Sequence, residues 1–178
     1  MNPLKELERQ GQAVWLDFIT RSLLKDGSLE KMIENDGLRG VTSNPTIFQK
    51  AIQGSTDYDA YIGELSRKGL SAPQVFEALA VEDIQGACDR FTGVFRKTGG
   101  TDGFVSLEVN PHLAMDAKGT LEEARHLWKA VSRPNLMIKI PATLAGLPAI
   151  TGALAEGLNV NVTLIFSLER YQAVLDAW

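Results

Sequence analysis

Lys139 is the residue whose surroundings most clearly favour covalent chemistry. It lies in the segment MIKIPAT, residues 137–143, between Ile138 and Ile140. A confined, largely apolar setting disfavours the charged ammonium, and the neutral amine is a nucleophile that attacks a ketone carbonyl. The imine that forms, once protonated, is an electron sink and lets a neighbouring C–C bond break without a metal. A lysine at a strand end or in a structural ion pair gives the same pattern, so spacing alone leaves both roles open.

Glu108 and Asp17 are the two carboxylates that the sequence predicts on inward-facing positions of strands. Imine formation and C–C cleavage both need a proton shuttle, and either residue could supply it. Either could instead neutralise Lys139 as part of a structural ion pair. On the residues alone, both interpretations stay open.

Three polar side chains are candidates for holding a substrate. Thr163 and Asn161 could position a catalytic water or bind substrate hydroxyls, and Asn44 could do the same. Asn44 directly precedes Pro45, and Asn followed by Pro is a common way to end a strand and cap a helix. A capping role is therefore a strong alternative for Asn44.

The elements that must position these residues are short β-like runs separated by longer helical segments. We predict five strands, bounded by Gly, Pro, Asn or Asp, over residues 13–19, 40–44, 103–110, 136–141 and 159–166. Apolar residues at helical spacing predict a helix over residues 73–97. A second helix is predicted over residues 120–131, with Thr120 as N-cap and Glu123 completing a capping box. This alternation indicates parallel β/α units.

Side chains alternate along the predicted strands, and the alternation favours one closed architecture. Lys139 opposes Ile138 and Ile140, and Asp17 opposes its two apolar neighbours. Every predicted strand sends one or two polar side chains to a single face near its C-terminal half, as in a barrel that builds its site from several strands. We therefore predict an α/β fold of the (β/α)8, or TIM, barrel type rather than an open doubly wound sheet.

The sequence accounts for five of the eight strands of such a barrel. The fold typically takes about 250 residues, and this sequence has 178. We expect residues 1–178 to form a partial barrel, strands one to five with their helices, truncated after the fifth strand and a following helix over residues 167–178. Such a piece would leave strand edges and apolar helix faces exposed.

Composition narrows the class of partners. Hydrophobic residues make up 44% of the sequence and charged residues 22%, which is ordinary for a folded globular protein. The net charge of -4, without long runs of one sign, argues against nucleic-acid binding. One cysteine and no apolar run of membrane-spanning length lead us to expect a reducing cytoplasm and no membrane association. The polar N-terminus is unlike a secretory signal.

Metal and nucleotide cofactors have no support in the sequence. His112 and His126 are too far apart in context to suggest a metal pair, and Cys88 falls on the apolar face of a helix, where a buried thiol is the default. The sequence has no GxGxxG, Walker A or zinc-ligand spacing. We therefore expect no cofactor and no metal.

Four stretches of the sequence resemble the transaldolase family, and the resemblance runs through essentially the whole sequence. GVTSNPTIF at 40–48 looks like the first family signature, and MIKIPAT at 137–143 followed by Gly146 looks like the second, which carries the Schiff-base lysine. NVTLIFS at 161–167 adds a third. WLDFITR at 15–21 and RPNLMIKIPAT at 133–143 look most like the longer bacterial transaldolases, some of which are fused to a phosphoglucose isomerase domain.

The resemblance implies a complete set of roles. Lys139 would form the imine with a ketose phosphate, such as sedoheptulose 7-phosphate or fructose 6-phosphate. It would retain a dihydroxyacetone unit and pass that unit to an aldose phosphate. This reaction belongs to the non-oxidative pentose phosphate pathway. Glu108 would act through a water held with Thr163, and Asp17 would shuttle the proton of the C4 hydroxyl. Asn44 and Asn161 would hold hydroxyls of substrate and intermediate. The implied partners are sugar phosphates, with a homodimer or an isomerase fusion left open.

One departure from the family pattern leaves two alternatives. The family binds the substrate phosphate with a Ser and an Arg on its sixth and seventh strands, and the sequence ends before both. A fructose-6-phosphate aldolase-like enzyme of the same superfamily, which releases free dihydroxyacetone, is one alternative. Glu108 and the long N-terminal segment favour transaldolase over it. An inactive fragment without a phosphate site is the other.

Overall fold

The computed structural model describes residues 2–178. The chain divides into two compact units, which are residues 1–105 and residues 106–178. The five strands belong to one sheet whose order follows the chain order, and helices connect them. This is the element order of the first five β/α units of a (β/α)8 barrel, so the predicted fold class is confirmed.

The described part of the first unit, residues 2–105, contains two complete strands, the start of a third, and six helices. In chain order its elements are α1 (Pro3–Arg9), β1 (Val14–Leu16), α2 (Arg21–Lys25), α3 (Ser28–Asp36), β2 (Leu38–Thr42), α4 (Pro45–Gln53), α5 (Asp59–Arg67), α6 (Ala72–Lys97) and the beginning of β3 (Phe104–Glu108). α6 begins with a capping box formed by Ser71 and Gln74. It ends before Gly99 and Gly100, whose positive φ angles suit glycine and stop the helix.

β1 and β2 are parallel neighbours and pack very closely at one point. Trp15 is in register with Gly40. A Cβ atom at Gly40 would overlap the indole ring of Trp15. Only glycine therefore lets the indole lie against the backbone of β2.

A cluster of buried side chains joins the helices of the first unit. α4, α5 and α6 contribute Ala51, Leu65, Val75 and Leu79, and Tyr58 lies fully buried among them just before α5. Burial of this apolar area is what holds these three helices together. Cys88 is buried on α6, as its apolar neighbours predict.

The second unit continues the same alternation. It contains the end of β3, a short 3-10 helix (Pro111–Leu113), α7 (Ala117–Val131), β4 (Leu136–Pro141), α8 (Gly146–Ala155), β5 (Val160–Thr163) and α9 (Leu168–Ala177). β4 and β5 are parallel, with Lys139 opposite Asn161 and Pro141 opposite Thr163. At the end of β3, the backbone N–H of Val109 donates to the carbonyl of Lys139 at 3.2 Å.

Several predicted boundaries are wrong, each for a local reason. β1 has three residues and ends before Asp17, so Asp17 lies in the following connection rather than in a strand. β2 ends at Thr42 because Asn44 already caps α4. β5 ends at Thr163, where Leu164 adopts a positive φ of 62° that breaks the strand.

The predicted start of the helix at Thr120 is also wrong. α7 begins at Ala117, because Asp116 accepts from the backbone N–H of Gly119 at 3.0 Å and acts as the N-cap. Thr120 lies buried inside the helix and donates to the carbonyl of Leu113 at 2.9 Å. Glu123 accepts instead from the backbone N–H of Asn110 at 2.9 Å, so the predicted capping box does not form.

The last helix carries large exposed side chains. α9 has no buried residue, and Leu168, Tyr171 and Leu175 on it are exposed, as are Phe166 and Trp178 beside it. No helix within residues 2–178 combines the length and apolar character needed to cross a membrane.

Candidate active site

In the second unit, Lys139 and Glu108 form an ion pair across neighbouring strands. The Nζ atom of Lys139 lies 3.2 Å from Oε2 of Glu108, and the two side chains are only 15% and 19% exposed. Glu108 is the last residue of β3 and Lys139 is the fourth residue of β4. A carboxylate at hydrogen-bond distance from an amine can accept or return a proton there.

The alternation along β4 explains why Lys139 points to this face. Ile138 and Ile140 are fully buried on the opposite face, so burial of these two residues fixes which way Lys139 projects. The expected confinement of Lys139 is present, but the expected apolar environment is not. Its ammonium lies beside a carboxylate, and Asn161 is its partner in the register of β5.

Asn161 extends the same polar face across β4. Its Nδ2 atom donates to the hydroxyl of Ser106 on β3 at 2.9 Å, and Ser106 is fully buried. β4 lies between β3 and β5 in the sheet. Ser106, Glu108, Lys139 and Asn161 therefore form one continuous polar surface on three adjacent strands of this unit. Thr163 follows on β5, at its C-terminal end and opposite Pro141.

A tight turn after β4 fixes where the strand ends. The hydroxyl of Thr143 accepts from the backbone N–H of Gly146 at 2.8 Å and donates to the carbonyl of Ala114. A Cβ atom at Gly146 would overlap the carbonyl oxygen of Pro141. Glycine is therefore required for α8 to begin so close to the end of β4.

In the first unit, Asp17 lies immediately after β1. Its side chain is exposed, while Ile19 two residues later is fully buried. The position corresponds to the C-terminal end of a strand, where β/α-barrel enzymes carry their functional groups. The strand itself is shorter than predicted, but Asp17 remains at the end that can present a carboxylate to a substrate.

Asn44 caps a helix, as the sequence had suggested for an Asn that precedes Pro45. Its Oδ1 atom accepts from the backbone N–H of Ile47 at 2.9 Å at the start of α4. An amide that uses its oxygen for the cap still has its NH2 group as a donor. Capping therefore fixes the side chain without removing its capacity to bind a hydroxyl.

Two hydroxyl groups belong with these residues and were not singled out from the sequence. Ser106 accepts a hydrogen bond from Asn161 and shares the face of Glu108, because the two residues are two positions apart on β3. Thr42, two residues before Asn44, has a buried Oγ1 atom with no hydrogen-bond partner among the described residues. A buried hydroxyl without a partner costs free energy, which makes Thr42 a candidate for binding a water or a ligand. Its only signal in the sequence was the face that it shares with Asn44.

The described part of the chain contains no set of side chains suited to binding a metal ion. Within residues 2–178, no group of three or more His, Cys, Asp or Glu side chains could hold a metal ion. His112 and His126 are both exposed. What the second unit does bring together is a lysine, a carboxylate, an amide and a hydroxyl, which are side chains of the kinds that imine chemistry uses.

The fold and these residues define a class: β/α-barrel proteins with a strand-borne lysine beside a carboxylate. Residues 14–178 match the sequence profile of the transaldolase/fructose-6-phosphate aldolase family, and the chain belongs to that family.

Curated relatives agree in name. A transaldolase of Frankia alni is 53% identical over 177 residues, which cover 99% of this chain and 48% of the relative. A transaldolase of Thermobifida fusca is also 53% identical over 177 residues, with the same coverage. A transaldolase of Thiobacillus denitrificans is 48% identical over 178 residues, covering 100% of this chain and 50% of the relative. The chain thus spans about half the length of the curated relatives it matches.

Proposed function

We propose that the protein is a transaldolase, a transferase of the pentose phosphate pathway. It transfers a dihydroxyacetone unit from a ketose phosphate to an aldose phosphate through an imine on Lys139. The observation that carries the proposal is the ion pair between Lys139 and Glu108, which combines an amine nucleophile with an acid/base group. The names of relatives at about half identity support the same activity.

The proposed reaction begins on the polar surface around Lys139. The amine attacks the ketose carbonyl, and Glu108, acting through a water held with Thr163, delivers the proton with which the carbinolamine oxygen leaves as water. The hydroxyls and amides nearby hold the sugar: Asn161 is already oriented by Ser106 for this purpose. The product of this stage is a protonated imine between Lys139 and the ketose.

Cleavage and transfer follow. Asp17 takes the proton of the C4 hydroxyl as the C3–C4 bond breaks, and the bonding electrons pass into the iminium, which becomes an enamine. The aldose phosphate leaves and the dihydroxyacetone unit stays on Lys139. Attack of the enamine on an incoming aldose phosphate reverses these steps, and hydrolysis of the new imine releases the product. Asn44 binds hydroxyls of substrate and intermediate throughout.

A fructose-6-phosphate aldolase-like activity is the rival within the family. The two differ in whether the dihydroxyacetone unit is released or transferred, and the names of the relatives favour transfer. Residues 1–178 are, in this proposal, the first five β/α units of the barrel. The Ser and Arg that bind substrate phosphate in the family would belong to later strands.

The test is an acceptor-dependence assay on the complete protein. Fructose 6-phosphate is supplied with and without erythrose 4-phosphate, and the release of glyceraldehyde 3-phosphate is followed. A transaldolase turns over continuously only when the acceptor is present. Equal turnover without the acceptor, with free dihydroxyacetone accumulating, would instead establish the aldolase.

The remaining proposals concern the cellular location, the partners and the oligomeric state of the protein. We propose a cytoplasmic enzyme that uses sugar phosphates, requires no cofactor and binds neither nucleic acid nor membranes. Assembly as a homodimer and fusion to a phosphoglucose isomerase domain are both compatible with the family. Comparing the particle mass from light scattering with the mass of the denatured chain separates them, because a fusion raises the mass of each chain whereas a dimer doubles the mass of the particle.

A further inference from the structure

Asp83 is a carboxylate buried in the middle of α6, with 2% of its surface exposed. A buried charge is costly unless it is fully paired. Here Oδ1 accepts from Nε of Arg21 at 2.9 Å, and Oδ2 accepts from the hydroxyl of Tyr58 at 2.8 Å. Burial raises the pKa of Asp83, and Arg21 together with the Tyr58 hydroxyl opposes that rise. Both oxygens are therefore occupied by donors of the same unit.

Arg21 is held by its backbone as well as by its side chain. Its backbone N–H donates to the hydroxyl of Tyr58 at 3.0 Å, and its guanidinium carbon lies 4.7 Å from the centroid of the Tyr58 ring. A second nitrogen of the guanidinium pairs with Glu82, next to Asp83. Arg21 is only 7% exposed. Because one hydroxyl contacts both the backbone of Arg21 and Asp83, the network fixes where this peptide group lies.

The anchored peptide is one end of a short connection that contains Asp17. β1 ends at residue 16 and α2 begins at Arg21, so residues 17–20 link a strand to the network. Ile19 is fully buried within that connection, and Thr20 accepts from the backbone N–H of Leu23 at 3.2 Å. A connection this short, fixed at both ends, has few conformations available. Its geometry decides where the exposed carboxylate of Asp17 projects.

A role in simple stability is a poor explanation for this network. Replacing a buried ion pair with apolar side chains of similar volume is often neutral or stabilising, so packing alone does not call for it. A polar network has directional contacts, and it can specify one position of a peptide where apolar packing tolerates several. The network is best placed to do this for the connection that carries Asp17.

We propose that Arg21, held by Tyr58 and Asp83, is a positioning residue for Asp17. The proposal rests on the proposed function, because it assumes that Asp17 transfers the C4 hydroxyl proton. Arg21 does not touch the substrate in this account. Loosening it displaces the Asp17 carboxylate, which slows C–C cleavage while substrate binding and imine formation at Lys139 continue.

A double-mutant cycle on the complete protein tests this. Tyr58→Phe removes the hydroxyl that holds Arg21, and the change is made in the natural background and in an Asp17→Asn background. We expect kcat to fall by about 10- to 100-fold in the natural background with KM nearly unchanged, because small misplacements of a reacting group are that costly. In the Asp17→Asn background the same change should have almost no effect on kcat. Borohydride should trap the uncleaved ketose on Lys139 in the Tyr58→Phe variant.

The matched control removes a hydroxyl from a neighbouring tyrosine. Tyr61→Phe changes α5 in the same chemical way but leaves the three hydrogen bonds of Arg21, Tyr58 and Asp83 intact, and it should leave kcat unchanged. Equal losses of kcat from Tyr58→Phe in both backgrounds would show a purely structural role and overturn the proposal. So would a loss of kcat that merely follows the fraction of folded protein.

Hydrogen exchange separates a failure of this proposal from a failure of the proposed function. Backbone amides of residues 17–20 should exchange faster in Tyr58→Phe than in the natural protein. In Tyr61→Phe their exchange rates should be the same as in the natural protein. This readout needs no turnover. If the natural protein shows no transfer activity but exchange changes as expected, the positioning of residues 17–20 stands and the assigned reaction fails. Unchanged exchange in Tyr58→Phe overturns the positioning itself.

Discussion

Lys139 and Glu108 meet across β4 and β3, with 3.2 Å between Nζ and Oε2. The two residues are 31 positions apart in the sequence, and parallel pairing of their strands brings them together. The lysine projects from the face opposite two fully buried isoleucines, so burial of apolar area determines the direction in which its amine points. The carboxylate belongs to the last residue of the neighbouring strand and lies beside that amine.

Replacing Glu108 tests whether this carboxylate is an acid/base group or only a counter-ion. Glu108→Gln keeps the size of the side chain and removes its ability to transfer a proton. We expect turnover to fall by about 10²- to 10⁴-fold, because the amide cannot transfer a proton to or from the reacting groups. Steady-state rates at saturating substrate measure the change. A variant with near-normal turnover would reduce Glu108 to a structural partner of Lys139.

Two variants separate the proposed substrate-binding role of Asn44 from its role as a helix cap. Asn44→Ala removes the oxygen that accepts from Ile47, and should lower the free energy of unfolding by about 1 kcal/mol. Asn44→Asp keeps the cap and removes the NH2 donor, so it should preserve stability and raise KM. Denaturant titration and kinetics measure the two effects. If Asn44→Asp binds substrate normally, capping is the whole role of Asn44.

Gly40 opens the GVTSNPTIF segment, and its lack of a side chain is a structural requirement. A Cβ atom there would overlap the ring of Trp15, a rigid group on the paired strand. We expect Gly40→Ala to destabilise the protein by roughly 1–3 kcal/mol, as other overpacked cores do. Thermal melts measure the change.

Gly63 is the matched control for that substitution. It lies inside α5, and a Cβ atom there would meet nothing within 4 Å. Gly63→Ala should therefore stabilise the protein by up to about 1 kcal/mol, because alanine favours the helix. Equal melting temperatures for Gly40→Ala and Gly63→Ala would contradict the packing of Trp15 on β2.

β4 is the strand that the sequence predicted best. It has the predicted bounds, because its alternation is strong and Pro134 and Asn135 precede it. α6 starts one residue before the predicted position and ends where predicted. α7 was placed three residues too late, because Asp116 and Thr120 are both good caps and sequence gives no means of choosing between them.

The positions of site residues were also predictable only where the local structure is regular. Strand alternation is enough to predict that Lys139, Glu108 and Asn161 share a face of the sheet, because they lie on regular strands. The bonds around Arg21 have no local signal, since Arg21 and Asp83 are 62 positions apart and meet only when α2 packs on α6. Distances between such groups depend on tertiary packing, which no pattern of spacing encodes.

Tyr58 makes stability depend on pH in the alkaline range. Burial and, to a lesser extent, the charge of Asp83 raise its pKa well above the ordinary value of 10. The unfolded chain therefore loses this proton first, so the contribution of Tyr58 to stability is complete below about pH 10 and declines as pH rises further. Tyr58→Phe cannot titrate. The melting-temperature advantage of the natural protein over Tyr58→Phe should shrink steadily above about pH 10, and a constant difference would contradict the buried hydroxyl.

Borohydride trapping tests the central claim most directly. The complete protein is incubated with fructose 6-phosphate, reduced, digested and analysed by mass spectrometry, alongside Lys139→Arg, which keeps the positive charge but cannot form an imine. The account predicts one covalent sugar adduct on the peptide that contains Lys139, and none in Lys139→Arg. An adduct-free natural protein, or an adduct that persists in Lys139→Arg, would contradict it.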